Sequence, residues 1–428
     1  MVKLKKLSSI LLSSALAFSA LIGCSSGNQG TDRASATEDK PGTVQAASDV
    51  LVPEEEAKLV VWESKGKDID VLKKIADAFT EEYGIPVRVE EVDQGEQIGK
   101  LTTDGPAGLG ADVVTFPHDQ LGNAVATGLV VPNEFFEEET KAEFLDNAVR
   151  AVSMDGMVYG YPKYVETYAL FYNKDLVREA PATFDEVIAF AKENTDAQNN
   201  KFGFMWDVGN FYFSYPFLSG FGGYVFKDGI DPDDMGLNNE GAVEGARFMQ
   251  GLKEILPLNA GDINNDIKTS LFSEGKLGLN IDGPWAVGTF KSEGVNFGVV
   301  PLPTLPNGEH PKSFSGVRAW YVNAYTKYPK AARLFARYAT SKENLEMAHQ
   351  TLGSIPARKD LEELVAKDEI SMAFLEQFKH SSPMPSIPQM NAVWDPAKAA
   401  LGTIWNDGRD PKAALDEAVE QIRQGMKK

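Results

Sequence analysis

Aromatic rings set beside turn-forming residues are the groups in this sequence best suited to chemistry, and that chemistry is recognition of a flat, hydroxylated ring. The chain carries 24 Phe, 13 Tyr and six Trp. Several fall where a strand or helix should end at a surface: Asp282-Gly283-Pro284-Trp285, Phe211-Tyr212-Phe213 ahead of Ser214-Tyr215-Pro216, and Asn391-Ala392-Val393-Trp394-Asp395-Pro396. A pyranose has a C–H face that packs on an aromatic ring and hydroxyls around its edge. A sugar groove therefore needs ring platforms with carboxylates and amides at the rim. Covering about 100 Å² of apolar sugar face is worth roughly 2.5 kcal/mol at the usual coefficient. Any single Trp can equally be core. Trp62 and Trp405 read as core, and Trp206 and Trp320 fit either core or cleft.

Covalent and metal chemistry find less in the sequence. The phosphate-cradling G-x-x-x-x-G-K-[ST] loop is absent. A G-x-S-x-G match exists at Gly23-Cys24-Ser25-Ser26-Gly27, but it lies in a targeting segment rather than on a strand–turn–helix. The four histidines, His118, His310, His349 and His380, form no H-E-x-x-H pattern, and one cysteine excludes a disulfide framework and multi-cysteine metal sites. No metal and no organic cofactor is expected. Carboxylates are plentiful, and a glycoside hydrolase needs only two; nothing in the sequence pairs them, and an extracellular glycoside hydrolase stays open as the alternative.

The elements that must hold these residues follow from length and pattern. At 428 residues the chain is long enough for two lobes with their own cores. Its formal net charge is −20, so its surface repels phosphate backbones and anionic lipids. Neither nucleic-acid binding nor charge-driven membrane binding is expected.

The first 23 residues read as a leader. Lys3, Lys5 and Lys6 precede the apolar stretch Leu7–Ile22, which ends at Gly23-Cys24. The stretch is short for a membrane span. A small-residue run closing on a cysteine resembles the lipobox of bacterial lipoproteins. That resemblance implies cleavage before Cys24 and a diacylglyceryl anchor on its sulfur, and two acyl chains are about what stable anchoring requires. Residues 24–56 are polar and small and read as a flexible tether, about 30 Å from end to end as a coil.

Beyond the tether, strand and helix signals alternate. Lys58–Trp62, Pro86–Val92 and Asp112–Phe116 read as strands. Asp70–Tyr83 reads as a helix with Leu72, Ile75, Ala76 and Phe79 on one face and Gly84 as its C-cap. Asp119–Thr127 is a helix closed by Gly128, and Thr183-Phe184-Asp185-Glu186 is a capping box. The fold class is α/β with open sheets.

From Lys58 onward the chain resembles the periplasmic-type maltose- and maltodextrin-binding proteins of ABC transporters, members of extracellular solute-binding protein family 1. The resemblance rests on Lys58-Leu59-Val60-Val61-Trp62, Ala111–Val114 with His118-Asp119, Tyr159–Pro162 with Glu166, and Leu170-Phe171-Tyr172-Asn173-Lys174-Asp175-Leu176. Gly222-Gly223-Tyr224, Asp282–Ala286 and Met384-Pro385-Ser386-Ile387-Pro388-Gln389-Met390 followed by Trp394 complete it.

It implies a two-lobed periplasmic-binding-protein fold with hinge strands crossing between the lobes. The expected N-terminal lobe is 57–164 and 317–366, and the C-terminal lobe 165–316 and 367–428. It implies sugar contacts from Asp119 and Glu166, stacking by Tyr212, Trp285, Trp394 and Phe116, and polar contacts from Ser64, Lys65 and Lys67. Gln120 stands where the family has Arg after the Asp, Asn210 where a Glu is usual, and Asp395 where an aromatic follows the Trp. Maltose, longer maltodextrins and cyclodextrins are the candidate ligands, and the alternatives are a glycoside hydrolase using Asp119 and Glu166 or a binding protein for another oligosaccharide. The resemblance further implies a monomer that closes on its sugar, and an ABC permease with its ATPase as partners. It also implies anchorage to the outer face of the cell membrane, as in a Gram-positive bacterium.

Overall fold

The computed structural model describes residues 51–427. The leader 1–23, Cys24 and the tether up to residue 50 lie outside the described residues. The expected tether ends earlier than 56. Glu54 already accepts from the backbone N–H groups of Lys330 (2.9 Å) and Ala331 (3.0 Å). The helix Pro329–Ala339 has no capping side chain of its own, so Glu54 fills that place and fixes residues 51–56 against the fold.

Two sheets organise the described chain. The larger runs in the order Ile355–Pro356, Tyr161–Glu166, Phe314–Asn323, Val113–Pro117, Leu59–Glu63, Val87–Glu91, with Val130–Val131 and Ser382–Pro383 also paired to the long strand Phe314–Asn323. Leu59–Glu63 is parallel to both its neighbours, with Val61 opposite Val89 and Val113. Helices cover parallel strands on both faces, which is why this strand is apolar nearly throughout. The smaller sheet runs Phe297–Val300, Ala169–Asn173, Leu277–Asp282, Phe202–Met205.

The local signals hold. The first helix is Lys67–Tyr83, burying Ile69, Val71, Leu72, Ile75, Ala76 and Phe79 and ending at Gly84 in the left-handed conformation. Thr183 and Glu186 form the reciprocal capping box of Phe184–Asn194. The expected helix from Asp119 instead starts as a tight turn, His118–Gln120, before the helix Leu121–Ala126. Trp62, Trp206, Trp320 and Trp405 are all fully buried, which settles the two open tryptophans as core. Trp206 donates to Ser214 Oγ at 3.1 Å, and Lys163 Nζ sits 3.9 Å from the Trp320 ring centroid.

The chain crosses between the two sheets at 167–168 and at 301–313, and the segment 380–384 is bonded alongside these crossings. Tyr161–Glu166 leads through Thr167 and Tyr168 to Ala169–Asn173, and Val300 leads on to Phe314. Helix Glu369–Lys379 leads to Ser382–Pro383. Thr167 Oγ1 lies 2.7 Å from Ser313 Oγ, Tyr168 Oη accepts from Phe314 N at 3.0 Å, and Ser382 N donates to Ser313 O at 2.8 Å. The expected lobe breaks at 164/165 and 316/317 fall inside Tyr161–Glu166 and Phe314–Asn323, and the structure corrects them. Both strands belong wholly to the larger sheet, because cutting either would orphan its ladder hydrogen bonds.

His118 fastens the same region. Its Nδ1 accepts from Val317 N and its Nε2 lies 3.1 Å from Met384 O. A backbone N–H can only donate, so Nδ1 is the acceptor and Nε2 carries the proton. Burial pulls its pKa down to about 4, which keeps the ring neutral.

Candidate binding site

A cleft of about 840 Å³ opens between the two sheets, within the roughly 300–1,000 Å³ usual for small-ligand sites. It brings together Ser64, Asp119, Gln120, Glu166, Tyr212, Trp285 and Trp394, residues that stand up to 330 positions apart in the chain.

Each is held by a local device. Pro117 ends its strand and the His118–Gln120 turn swings Asp119 inward, with His118 pinned as described. Glu166 is the last residue of its strand, paired with Gly316. Asn210 caps the helix Phe211–Ser219, accepting from Tyr212 N at 3.0 Å, so it aims Tyr212 at the cleft while lining the cleft itself. Trp285 follows a turn fixed by the buried Asp282, which pairs with Lys268 and accepts from Gly283 N at 2.9 Å. A Cβ on Gly283 would lie 2.1 Å from the Trp285 ring, so only glycine lets the indole fold over its own turn. Trp394 opens the helix Trp394–Asp407 and stands edge-on to Phe211 and Phe314, at 5.9 and 6.0 Å. Tyr212 and Trp285 lie 6.5 Å apart, so the smaller-sheet side presents a wall of rings.

The larger-sheet side presents acceptors. Asp119 is buried, and its Oδ1 has no hydrogen-bond partner. Burial pushes its carboxyl up to about 7, with the nearby Glu166 charge adding to the shift. Glu166 is also pushed up to about 7 by burial, against the pull of Arg318.

Below them lies a buried charge cluster. Glu63 pairs with Lys163 at 2.6 Å and with Arg318. Arg318 Nη1 reaches Asp68 at 3.1 Å and Glu166 at 3.9 Å. Arg318 and Asp68 line the cleft and had no place in the sequence reading, because strand Phe314–Asn323 looks apolar and nothing in spacing links positions 68 and 318. Gln94, Asn123, Phe213, Met384 and Asn391 were likewise missed.

Three expected contacts are corrected. Phe116 is fully buried and stacks on Tyr321 at 3.9 Å, one layer behind the cleft wall, because successive strand residues face opposite ways and Pro117 takes the cleft side. Lys67 spends its ammonium on Gly288 O at 3.0 Å, across to the helix after Trp285. Lys65 is exposed and lies outside the lining. Asp395 is also exposed, in the first turn of its helix. Among the described residues no cluster of three His, Cys, Asp or Glu could hold a metal ion. A second groove of about 640 Å³ borders the crossing strands around Tyr215, Phe314 and Met384, without paired carboxylates.

Two sheets joined by bonded crossing segments, with rings on one wall of the intervening cleft and acceptors on the other, define a two-lobed protein built to hold a polyhydroxylated ligand. The chain belongs to the bacterial extracellular solute-binding proteins, whose family pattern it matches over residues 74–373. It is 38% identical to the galactooligosaccharide-binding protein of Bacillus subtilis, with 87% of this chain and 90% of that one aligned. It is 32% identical to a maltooligosaccharide ABC transporter solute-binding lipoprotein of Streptococcus pneumoniae, over 99% and 98% of the two chains. Among solved structures it resembles a cyclo/maltodextrin-binding protein complexed with maltotetraose, at 39% identity and a TM-score of 0.72, covering 86% of this chain and 97% of that one.

Proposed function

We propose that this protein captures maltodextrins, linear or cyclic, by closure of its lobes and delivers them to an ABC permease driven by its own ATPase. The observation that carries this is the ring wall of Tyr212, Trp285 and Trp394 facing the buried acceptors Asp119 and Glu166. Rings cover the C–H faces of glucose units while carboxylates take their hydroxyls. Sugar contacts to both walls favour the closed form, and the shift equals the ligand's differential affinity for closed over open. Cys24, with a lipid on its sulfur, would keep the protein at the outer face of the membrane beside its permease. The chain acts as a monomer and hydrolyses nothing.

Titration calorimetry with maltose, maltotriose, maltotetraose and β-cyclodextrin tests the ligand, with galactooligosaccharides as the comparison suggested by the Bacillus relative. Binding of α-glucans supports the reading, and binding of galactooligosaccharides alone overturns it. Chromatography of maltoheptaose after incubation tests hydrolysis, and shorter products would replace capture with a glycosidase.

A further inference from the structure

Outside the cleft, two of the histidines meet. His118 and His349 are buried and spend ring nitrogens on the backbone, at Val317 N, Met384 O and Ser354 O. His310 and His380 instead face each other, with ring centroids 4.0 Å apart and planes 13° from parallel. His310 is exposed on the crossing segment 301–313, and His380 is half-buried at the C-cap of the helix Glu369–Lys379. Gln377 fixes the backbone beneath both. Its Nε2 donates to Pro311 O at 3.1 Å and to Ser313 Oγ at 3.0 Å, and its carbonyl accepts from His380 N at 2.9 Å. Two imidazoles in contact gain little while neutral and repel once both are protonated. A cation that both rings ligate turns the same proximity into a gain, and neutral imidazole suits copper, nickel and zinc.

We propose that His310 and His380 form a two-imidazole site for a divalent late first-row metal ion, tightest for Cu²⁺. Water fills the remaining positions, since no third His, Cys, Asp or Glu among the described residues completes a cluster. Metal–imidazole bonds of about 2.0 Å bring two adjacent nitrogens to about 2.9 Å, so the rings tilt out of the stack until their edges converge. His310 is exposed, and exposed side chains change rotamer within nanoseconds. Glu376 stands one helical turn before His380, near enough to feel the charge of both rings, and can accept from a metal-bound water. The chain's formal charge of −20 also concentrates cations at its surface. Ser382 N donates to Ser313 O at 2.8 Å, so the two ligands come from segments that run side by side between the sheets, and the ion cross-links them. None of this depends on the sugar reading.

The test uses the whole chain with Cys24→Ser and no polyhistidine tag, titrated calorimetrically with CuCl2 and NiCl2, with MgCl2 as the control for carboxylate binding. The expected result is one saturable site, tighter for Cu²⁺ than for Ni²⁺ and silent to Mg²⁺. His310→Gln and His380→Gln should each weaken it by about tenfold or more, because the second ligand on a site acts at high effective concentration. Thermal scans without metal check that these variants fold, and Ni²⁺ should raise the melting temperature of the parent alone. Electron paramagnetic resonance of the Cu²⁺ form should show coupling to two imidazole nitrogens in the parent and to one in either variant. No saturable site in the parent, or parent-like affinity in either variant, would overturn the proposal. If a variant does not fold, the parent's spectrum decides, and coupling to fewer than two imidazoles would overturn the site.

Discussion

Replacing Trp285 by alanine removes a ring that borders the cleft but little of the core. The indole is half-buried and touches other rings only at its margin, 6.5 Å from Tyr212 and 6.3 Å from Phe213. If one glucose face covers about 100 Å² of it, the loss is about 2.5 kcal/mol, or about 70-fold in affinity. The backbone turn that carries it is fixed independently by Asp282 and Gly283, so the variant should fold with a melting temperature close to the parent's. Calorimetry with maltotriose measures the affinity, and a thermal scan without sugar measures the fold. Trp206→Ala serves as the contrast, since a fully buried indole should cost about 3–5 kcal/mol of stability. Affinity of Trp285→Ala within twofold of the parent would refute the stacking wall. A drop in its sugar-free stability as large as that of Trp206→Ala would show that Trp285 is core instead.

Four further outcomes follow from the geometry. Asp119 and Glu166 both titrate near 7 in the free protein, so their ionised forms grow as pH rises from 6 to 8. Sugar affinity should rise by up to about tenfold per group over that range, with proton release visible in buffers of different ionisation enthalpy. Sugar-free stability should move oppositely, because these carboxyls hold protons that the unfolded chain releases near pH 4. Their contribution is greatest below about 4 and is lost as pH climbs through about 7, which denaturant titrations across pH would measure. Phe116→Ala should lose about 3–5 kcal/mol of stability while its folded fraction binds maltotriose normally, since the ring packs on Tyr321 behind the wall. Gly122→Ala should weaken sugar binding or lower stability by about 1–3 kcal/mol, because its Cβ would meet Ser386 O at 2.4 Å and Pro388 N at 2.7 Å. Thermal scans and titration of that variant would show whether the run from Met384 to Met390 must seat there.

The sequence carried those parts of the site that announce themselves locally. Trp285 and Trp394 stand beside turn residues, and a ring at the end of an element reaches a surface more readily than one inside it. Asp119 follows a strand that stops at a proline, and Glu166 ends another. The first helix, its Gly84 cap and the Thr183–Glu186 box were legible because each is set within a few residues. What escaped depends on side-chain direction or on distant partners. Phe116 and Pro117 are neighbours, and only the pleat decides which faces the cleft. Lys67 had a plausible place among sugar contacts until its reach to Gly288 O appeared, 221 residues away. Arg318 lies in a strand buried from end to end, and its three carboxylate neighbours come from the first strand, the first helix and a crossing strand.

The central claim is that the cleft closes on α-linked glucose units, and a thermal-shift series over linear maltodextrins, β-cyclodextrin and galactooligosaccharides tests it most directly. A ligand at one hundred times its Kd adds about 2.7 kcal/mol to apparent stability, so ranking the shifts ranks the affinities. Maltotriose and maltotetraose should give clear upward shifts that shrink several-fold, to about 0.5 kcal/mol at the same sugar concentration, in the Trp285→Ala and Trp394→Ala variants. No shift with any α-glucan, or a shift with galactooligosaccharides alone, would contradict it.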